Sequence, residues 1–145
     1  MDKLDIVTDE SGNKVVLLPE IIFSNKQNIN WDDVEDYLGK YVGELIEIAE
    51  TRDIIYIGNK FPDEYGGSSY TRKTKGARAK AKANAAQGIR EMVEIATDKV
   101  YRENHKEKHS EDAHNGWFYY VTRFAIPLYD NEKKTGEYNV YSACL

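Results

Sequence analysis

Side chains that can move protons or hold a phosphate group lie in two stretches of the sequence, 65–82 and 109–123. His109 titrates near neutral pH, so it can serve as a base or as an acid. Arg123 can hold a phosphate group through a two-pronged contact, and Lys80 or Lys82 through a single charge. The hydroxyl-bearing residues that could donate protons or position a substrate are Tyr65, Ser68, Tyr70 and Thr71. These residue types suffice for metal-independent acid–base chemistry on a phosphate ester.

A run of basic residues without any acid lies in the second half of the chain. Residues 1–66 hold 15 Asp and Glu against 6 Lys and Arg, whereas residues 67–145 hold 10 against 14, for a net charge of -5. The basic run consists of Arg72, Lys73, Lys75, Arg78, Lys80, Lys82 and Arg90. Such a cluster attracts phosphate even on an acidic protein, and we predict nucleic-acid contacts at Arg72, Lys73, Lys75, Lys80 and Lys82. A solvated helix face is the alternative interpretation.

Each candidate also has a purely structural interpretation. Lys80 and Lys82 are two residues apart, so a helix directs them to different faces. Asn84 and Gln87 are three apart, share a face, and could fasten the helix to a loop. His109 could cap a turn in a polar loop, and Arg123 could be held on its apolar strand by an ion pair with Asp112 or Glu103.

The sequence predicts no metal site and no cofactor. His105 and His109 have the spacing of zinc ligands on a helix, but Lys106 stands where a zinc protease needs Glu, and two lysines between the ligands oppose a cation. The single cysteine, Cys144, gives no signal for a nucleophile, and no glycine-rich phosphate loop is present.

The pattern of apolar residues predicts one α+β domain over residues 1–145, with 1–19 peripheral. Asn30 caps a short N-terminal helix that ends near Tyr41, and residues 44–49 and 53–58 form a hairpin. Residues 61–69 are predicted as a loop. One long Ala-rich helix covers 73–96 and is kinked or divided into two pieces at Gly88. A strand over 117–128, covered on both faces, pairs with 137–145, so that both helices pack on an antiparallel sheet.

The segments FPDEYGGSSYTRKTKGARAKAKANAAQGIR, from Phe61, and ENHKEKHSEDAHNGWFYYVTRFAIPLY, from Glu103, resemble a module of polyvalent proteins from phages and conjugative elements. The resemblance covers about residues 20–145 and includes Tyr65, Ser68, Tyr70, Thr71, Lys80, Lys82, Asn84, His109 and Arg123. It implies a relation to the barnase–EndoU–colicin–RelE-like nuclease class or to companion domains of such nucleases. Members of this family continue past the position of Leu145 with a further strand, so the last strand is expected to be truncated.

Two functions are therefore expected. The first is a metal-independent ribonuclease or an inactive derivative, with His109, Arg123, Tyr65 and Thr71 catalytic. Ser68, Tyr70, Asn84 and Tyr119 would then position the substrate. The alternative is a non-catalytic protein-interaction or processing module of a polyvalent protein.

The expected partners are RNA, an immunity-type or other protein, and a second copy of the chain joined through the exposed last strand. With no apolar run behind the charged N-terminus and no span of bilayer length, we expect a soluble cytoplasmic protein without a membrane partner.

Overall fold

The computed structural model describes residues 3–24, 29–67, 71, 76–102 and 117–145. The regular elements of these segments, in chain order, are β1 (Ile6–Thr8), β2 (Lys14–Leu17), α1 (Trp31–Leu38), β3 (Leu45–Glu47), β4 (Ile54–Tyr56), α2 (Phe61–Gly66), α3 (Gly76–Ala85), α4 (Ile89–Glu94), β5 (Thr97–Arg102), β6 (Trp117–Asp130) and β7 (Lys133–Cys144). Short 3-10 turns cover Gly39–Tyr41 and Ala86–Gly88. Among the described residues, none of the helices is long and apolar enough to cross a membrane.

β6 is the centre of a five-stranded sheet. β7 pairs antiparallel along one edge of β6, and the other edge is shared by β5, which is antiparallel, and β2, which is parallel. β1 extends the sheet beyond β2. The predicted α+β class, the central strand and the pairing of the last strand are therefore confirmed, with one parallel pair added to an antiparallel sheet.

The Ala-rich helix is divided into α3 and α4 by the 3-10 turn that ends at Gly88, as predicted. Buried alanines lie on two opposite faces of this helix. One set, Ala79, Ala83 and Ala86, belongs to a core shared with α1 and β3, and a second set, Ala81 and Ala85, belongs to a core shared with β2 and β6. Small side chains allow close approach of backbones, so this helix forms a middle layer between the five-stranded sheet and the N-terminal helix and hairpin.

The predicted N-terminal helix and hairpin are also present. The Asn30 side chain accepts hydrogen bonds from the backbone N–H groups of Asp32 and Asp33, at 3.1 and 3.4 Å, and so caps α1. β3 and β4 pair antiparallel as a separate two-stranded sheet. The inward side chains of this hairpin, Ile46, Ile48 and Ile57, are buried in the core that contains α1.

Several predictions about local structure are wrong. Residues 1–19 are not peripheral, because Val16 and Leu18 are fully buried beneath α3 and α4. Residues 61–66 form α2 instead of a loop. Pro62 lies in the first turn of α2, where a backbone N–H would have no partner within the helix, so its absence costs nothing. The acidic residues of this turn also favour the start of a helix. β5 was not predicted from the sequence, because its apolar and polar residues alternate only weakly and most of them are exposed.

The expectation that β6 is covered on both faces is met only in part, since Ala125 is fully buried on the face away from the helices but the neighbouring strands are exposed there. Thr122, Phe124 and Ile126 face the helices and are buried. On the opposite face of the sheet, Val100 of β5 and Val140 of β7 are 48% and 58% exposed. This face of the sheet is therefore only partly covered by the residues that the structure describes.

The buried stripe of α4 gives a test of this packing. Ile89, Met92 and Val93 are all buried, as their spacing predicts, and Met92 contacts the core beneath β2 and β6. We expect Met92→Ala to lower the free energy of unfolding by about 2 to 5 kcal/mol, because it removes buried volume. Val140→Ala, on the exposed face, should change it by less than about 0.5 kcal/mol. Chemical denaturation measures both changes in the free energy of unfolding. A decrease of less than about 0.5 kcal/mol for Met92→Ala would show that the stripe lies at the surface.

Candidate functional site

Three residues predicted from the sequence meet where α2 approaches α3. The Lys82 ammonium donates a hydrogen bond of 2.8 Å to the Thr71 hydroxyl oxygen and lies 5.2 Å from the centre of the Tyr65 ring. The Tyr65 hydroxyl in turn donates to the backbone carbonyl of Lys82. Thr71 is buried. We call Tyr65, Thr71 and Lys82 the lysine cluster.

Burial governs the chemistry of the lysine cluster. It lowers the pKa of the Lys82 ammonium and raises the pKa of the Tyr65 phenol well above its ordinary value. The phenol therefore keeps its proton at neutral pH, and that proton is held by a backbone carbonyl of the same chain. In this arrangement the Tyr65 hydroxyl and one N–H group of the Lys82 ammonium fasten α2 and Thr71 to α3.

Asn84 and Gln87 fasten α3 to the segment that follows β2, which confirms their structural interpretation. The Asn84 amide oxygen accepts from the backbone N–H groups of Ile22 and Phe23, at 2.8 and 3.0 Å, and its nitrogen donates to the carbonyl of Phe23 at 2.9 Å. The Gln87 amide donates to the carbonyl of Glu20 at 2.9 Å. Asn84 is fully buried, so its amide serves the fold and has no described route to a substrate.

Arg123 lies in a different place, in a cleft of about 480 Å³ between the β1–β2 turn, the turn after β3 and the start of β5. The charged lining residues are Lys14, Glu50, Glu94, Asp98 and Arg123. Glu94 is already paired with Lys3 and Arg90, at 3.1 and 3.3 Å. In the described chain Arg123 forms no ion pair, and the cleft lining holds three carboxylates and two cations.

The lysine cluster and the Arg123 cleft are far apart. Glu94, which lines the cleft, follows Lys82 by twelve residues along α3 and α4. At 1.5 Å of rise per residue, Lys82 and Glu94 are separated by roughly 18 Å along the helix. A phosphate ester spans only a few ångströms between the attacking and the leaving oxygen. None of Tyr65, Thr71 and Lys82 lines the cleft that contains Arg123.

The remaining candidates are dispersed or lie outside the described residues. Lys80 is exposed beside a small cleft near Pro127, on another face of α3 from Lys82, as the spacing predicts. Tyr119 lies on the partly covered face of the sheet, with the Arg102 guanidinium 5.7 Å from its ring. The candidates outside the described residues are Ser68, Tyr70, Arg72, Lys73, Lys75 and His109. Within the described part of the chain no three His, Cys, Asp or Glu side chains are grouped as a metal site requires.

Asp53, which is not among the residues predicted from the sequence, joins the hairpin to the main sheet. One carboxylate oxygen of Asp53 accepts from the Thr51 hydroxyl at 2.8 Å, the Lys99 ammonium at 2.8 Å and the Tyr120 hydroxyl at 2.6 Å. The donors, Lys99 first, lower the pKa of Asp53 to about 2. No sequence signal marks this contact, because its partners come from β5 and β6, more than forty residues later.

The Asp53 contact predicts a pH-dependent stability. A carboxyl whose pKa is lower in the folded than in the unfolded state stabilises the fold above its unfolded pKa, and this contribution disappears as pH falls toward the folded value. We expect the wild-type protein to lose this part of its stability between about pH 4 and pH 2. Asp53→Asn should lack it, and Lys99→Met should reduce it. Chemical denaturation at a series of pH values tests this, and parallel curves for wild type and Asp53→Asn would contradict it.

Comparison of the chain with protein-family models, with curated proteins and with solved structures found no match in any of the three. The resemblance to polyvalent-protein modules therefore stays a prediction. What the chain does must be inferred from its own clusters and surfaces.

Proposed function

We propose that this chain is a non-catalytic protein-interaction domain, in the setting of a mobile-element polyvalent protein that its sequence suggests. The observation that carries the proposal is the outer face of the β3–β4 hairpin. Leu45, Ile54 and Tyr56 point outward there and are 62%, 58% and 63% exposed. Three large apolar side chains grouped on one small face are typical of a surface that another protein covers.

The backbone of β4 adds an open edge to this face. The hydrogen bonds of the hairpin join Ile57 to Glu44, at 3.0 Å, and Ile48 to Asp53, at 2.8 Å. Because bonding alternates along an antiparallel pair, the N–H and C=O groups of Ile54 and Tyr56 point away from β3. Within the described residues neither N–H group has a backbone acceptor. An extended peptide can pair with this edge and place its side chains against Tyr56 and Ile54.

Charge indicates what kind of peptide fits. Residues 31–64, which build α1, the hairpin and α2, contain ten Asp and Glu and three Lys and Arg, a balance of -7. An acidic surface attracts basic partners and repels RNA. The proposed ligand of the hairpin face is therefore an extended segment of another protein in which basic and apolar residues alternate.

The separation of the predicted catalytic residues supports the same conclusion. A ribonuclease needs its base, its acid and its phosphate-binding cation around one scissile bond. In the described chain Arg123 lines a cleft that contains no residue of the lysine cluster, and the Tyr65 hydroxyl of that cluster is bound to a backbone carbonyl.

A peptide-binding experiment tests the hairpin face directly. Selection from a displayed library of random ten-residue peptides should enrich sequences that alternate basic and apolar residues. Tyr56→Lys should weaken binding of a selected peptide about tenfold or more, because it removes an aromatic anchor and adds a like charge. The matched control is Tyr129→Lys, which changes an exposed tyrosine on β6 and should leave binding unchanged. Equal binding by both variants would overturn the proposal for this face.

A nuclease assay tests the absence of catalysis. Purified wild-type protein should leave structured and single-stranded RNA intact, and its induced expression should slow growth no more than expression of His109→Ala. Cleavage by the wild type that is lost in His109→Ala would show that the domain is a ribonuclease. The same cleavage in both proteins would indicate a contaminating enzyme, so the comparison separates catalysis by the domain from background.

A further inference from the structure

The outer face of the five-stranded sheet, which is turned away from α3 and α4, is apolar. A sheet with one face in water normally alternates apolar residues toward the core with polar residues toward the solvent. Here the strand register places large apolar side chains on the outer face as well, namely Leu17, Val100, Tyr119, Val121, Tyr138 and Val140. Val100, Tyr138 and Val140 are exposed. An apolar surface of this kind is typical of one that a partner covers.

The outer face has a depression along β6. Ala125 is small and fully buried, and its partners on the neighbouring strands are the larger Leu17 and Val140. Toward the start of β6, a groove of about 430 Å³ is lined by Val121 and Tyr119. Between Val121 and Ala125 the sheet is three or four strands wide, about 10 to 15 Å. This width matches one α-helix, whose diameter with side chains is about 10 to 12 Å.

The backbone of the sheet favours a helix as the occupant of this face. β6 pairs with β7 along one edge and with β5 and β2 along the other, so its backbone groups are bonded within the sheet. A chain that lies across the face must therefore satisfy its own backbone N–H and C=O groups, as a helix does and an extended segment does not. A single-stranded nucleic acid needs aromatic rings on which its bases stack, whereas Val100 and Val140 are aliphatic.

The charges on the outer face favour a helix with acidic residues. The Arg102 guanidinium lies 5.7 Å from the centre of the Tyr119 ring, and Arg123 lies farther along the same face. In the described part of the chain neither arginine forms an ion pair. Asp98 also lines the groove, but its carboxylate accepts a hydrogen bond from the Thr97 hydroxyl at 3.3 Å. Two cations against one carboxylate attract acidic side chains, which an apolar partner can carry beside its apolar stripe.

We infer that the outer face of the sheet binds an amphipathic α-helix of another protein, with acidic residues beside its apolar stripe. This surface is separate from the hairpin face of the proposed function, because α3 and α4 lie between the sheet and the layer that contains the hairpin. The two surfaces recognise different partners, a basic extended segment at the hairpin and an acidic helix at the sheet. The domain can therefore join two proteins.

Selection of helical peptides on the wild-type protein tests this inference. The outer face from Tyr119 to Pro127 is about 26 Å long, the length of a helix of about 18 residues. The probe is a displayed library of amphipathic peptides of about this length, with a fixed leucine stripe and random residues beside it. Selection should enrich Asp and Glu at the random positions, and circular dichroism should show that a selected peptide gains helix on binding.

Substitutions on the two faces locate the binding site. Val140→Glu places a carboxylate on the outer face and should weaken binding of a selected helix about tenfold or more. Arg102→Glu, at the other end of this face, should also weaken it. The matched control is Leu45→Glu, which makes the same kind of change at an exposed apolar residue of the hairpin face. It should weaken only the peptide bound at the hairpin, so a failure at one face is not mistaken for a failure at the other.

Three results would overturn the inference. The first is a selection in which no helix distinguishes the wild type from both Val140→Glu and Arg102→Glu. The second is enrichment of Lys and Arg, instead of Asp and Glu, beside the leucine stripe. The third is binding of a single-stranded oligouridine that both substitutions abolish, since the outer face would then be a nucleic-acid surface. Thermal unfolding of each variant checks that the substitutions leave the fold intact.

Discussion

The close packing of α3 and α4 between two layers is the constraint on which the rest of the structure depends. A helix can serve as a middle layer only where its side chains are small enough for both neighbours to approach. At Gly88 an added Cβ would lie 3.2 to 3.3 Å from the side chains of Leu18, Leu4 and Val16. The alanines and this glycine therefore bring the sheet on one side, and α1 with the hairpin on the other, into contact with one helix.

A helix buried on both sides must satisfy its polar residues internally. Asn84 and Gln87 do so by binding the backbone of residues 20–23, which lie outside the described strands. In the described residues every buried side-chain nitrogen and oxygen has a hydrogen-bond partner. Asn84, a candidate substrate contact in the sequence, thus holds this irregular backbone against the core.

Local sequence signals predicted the elements that local forces determine. The Asn30 cap, the apolar stripe of α4 and the long β6 are visible in the sequence because caps, periodicity and β-branched runs act over a few residues. The burial of β2 and the formation of β5 were not predictable in this way, since both depend on pairing with β6. For the candidate site, spacing correctly separated Lys80 from Lys82, whereas side-chain chemistry placed Tyr65 and Thr71 with Arg123 and not with Lys82, which they contact. Neither could show that Arg123 lies at the opposite end of the helix, because that distance depends on how the layers stack.

The parallel pairing of β2 with β6 also governs how this chain reaches its native state. Val16 pairs with Phe124, and in between lie α1, the hairpin and the Ala-rich helix. Contacts between residues so distant in sequence require closure of a long loop before they contribute any stability, so they slow folding. During synthesis β1 and β2 emerge from the ribosome long before their neighbour does. Until β6 follows, the apolar side chains of Val16 and Leu18 lack their main packing partner and stay exposed on the nascent chain.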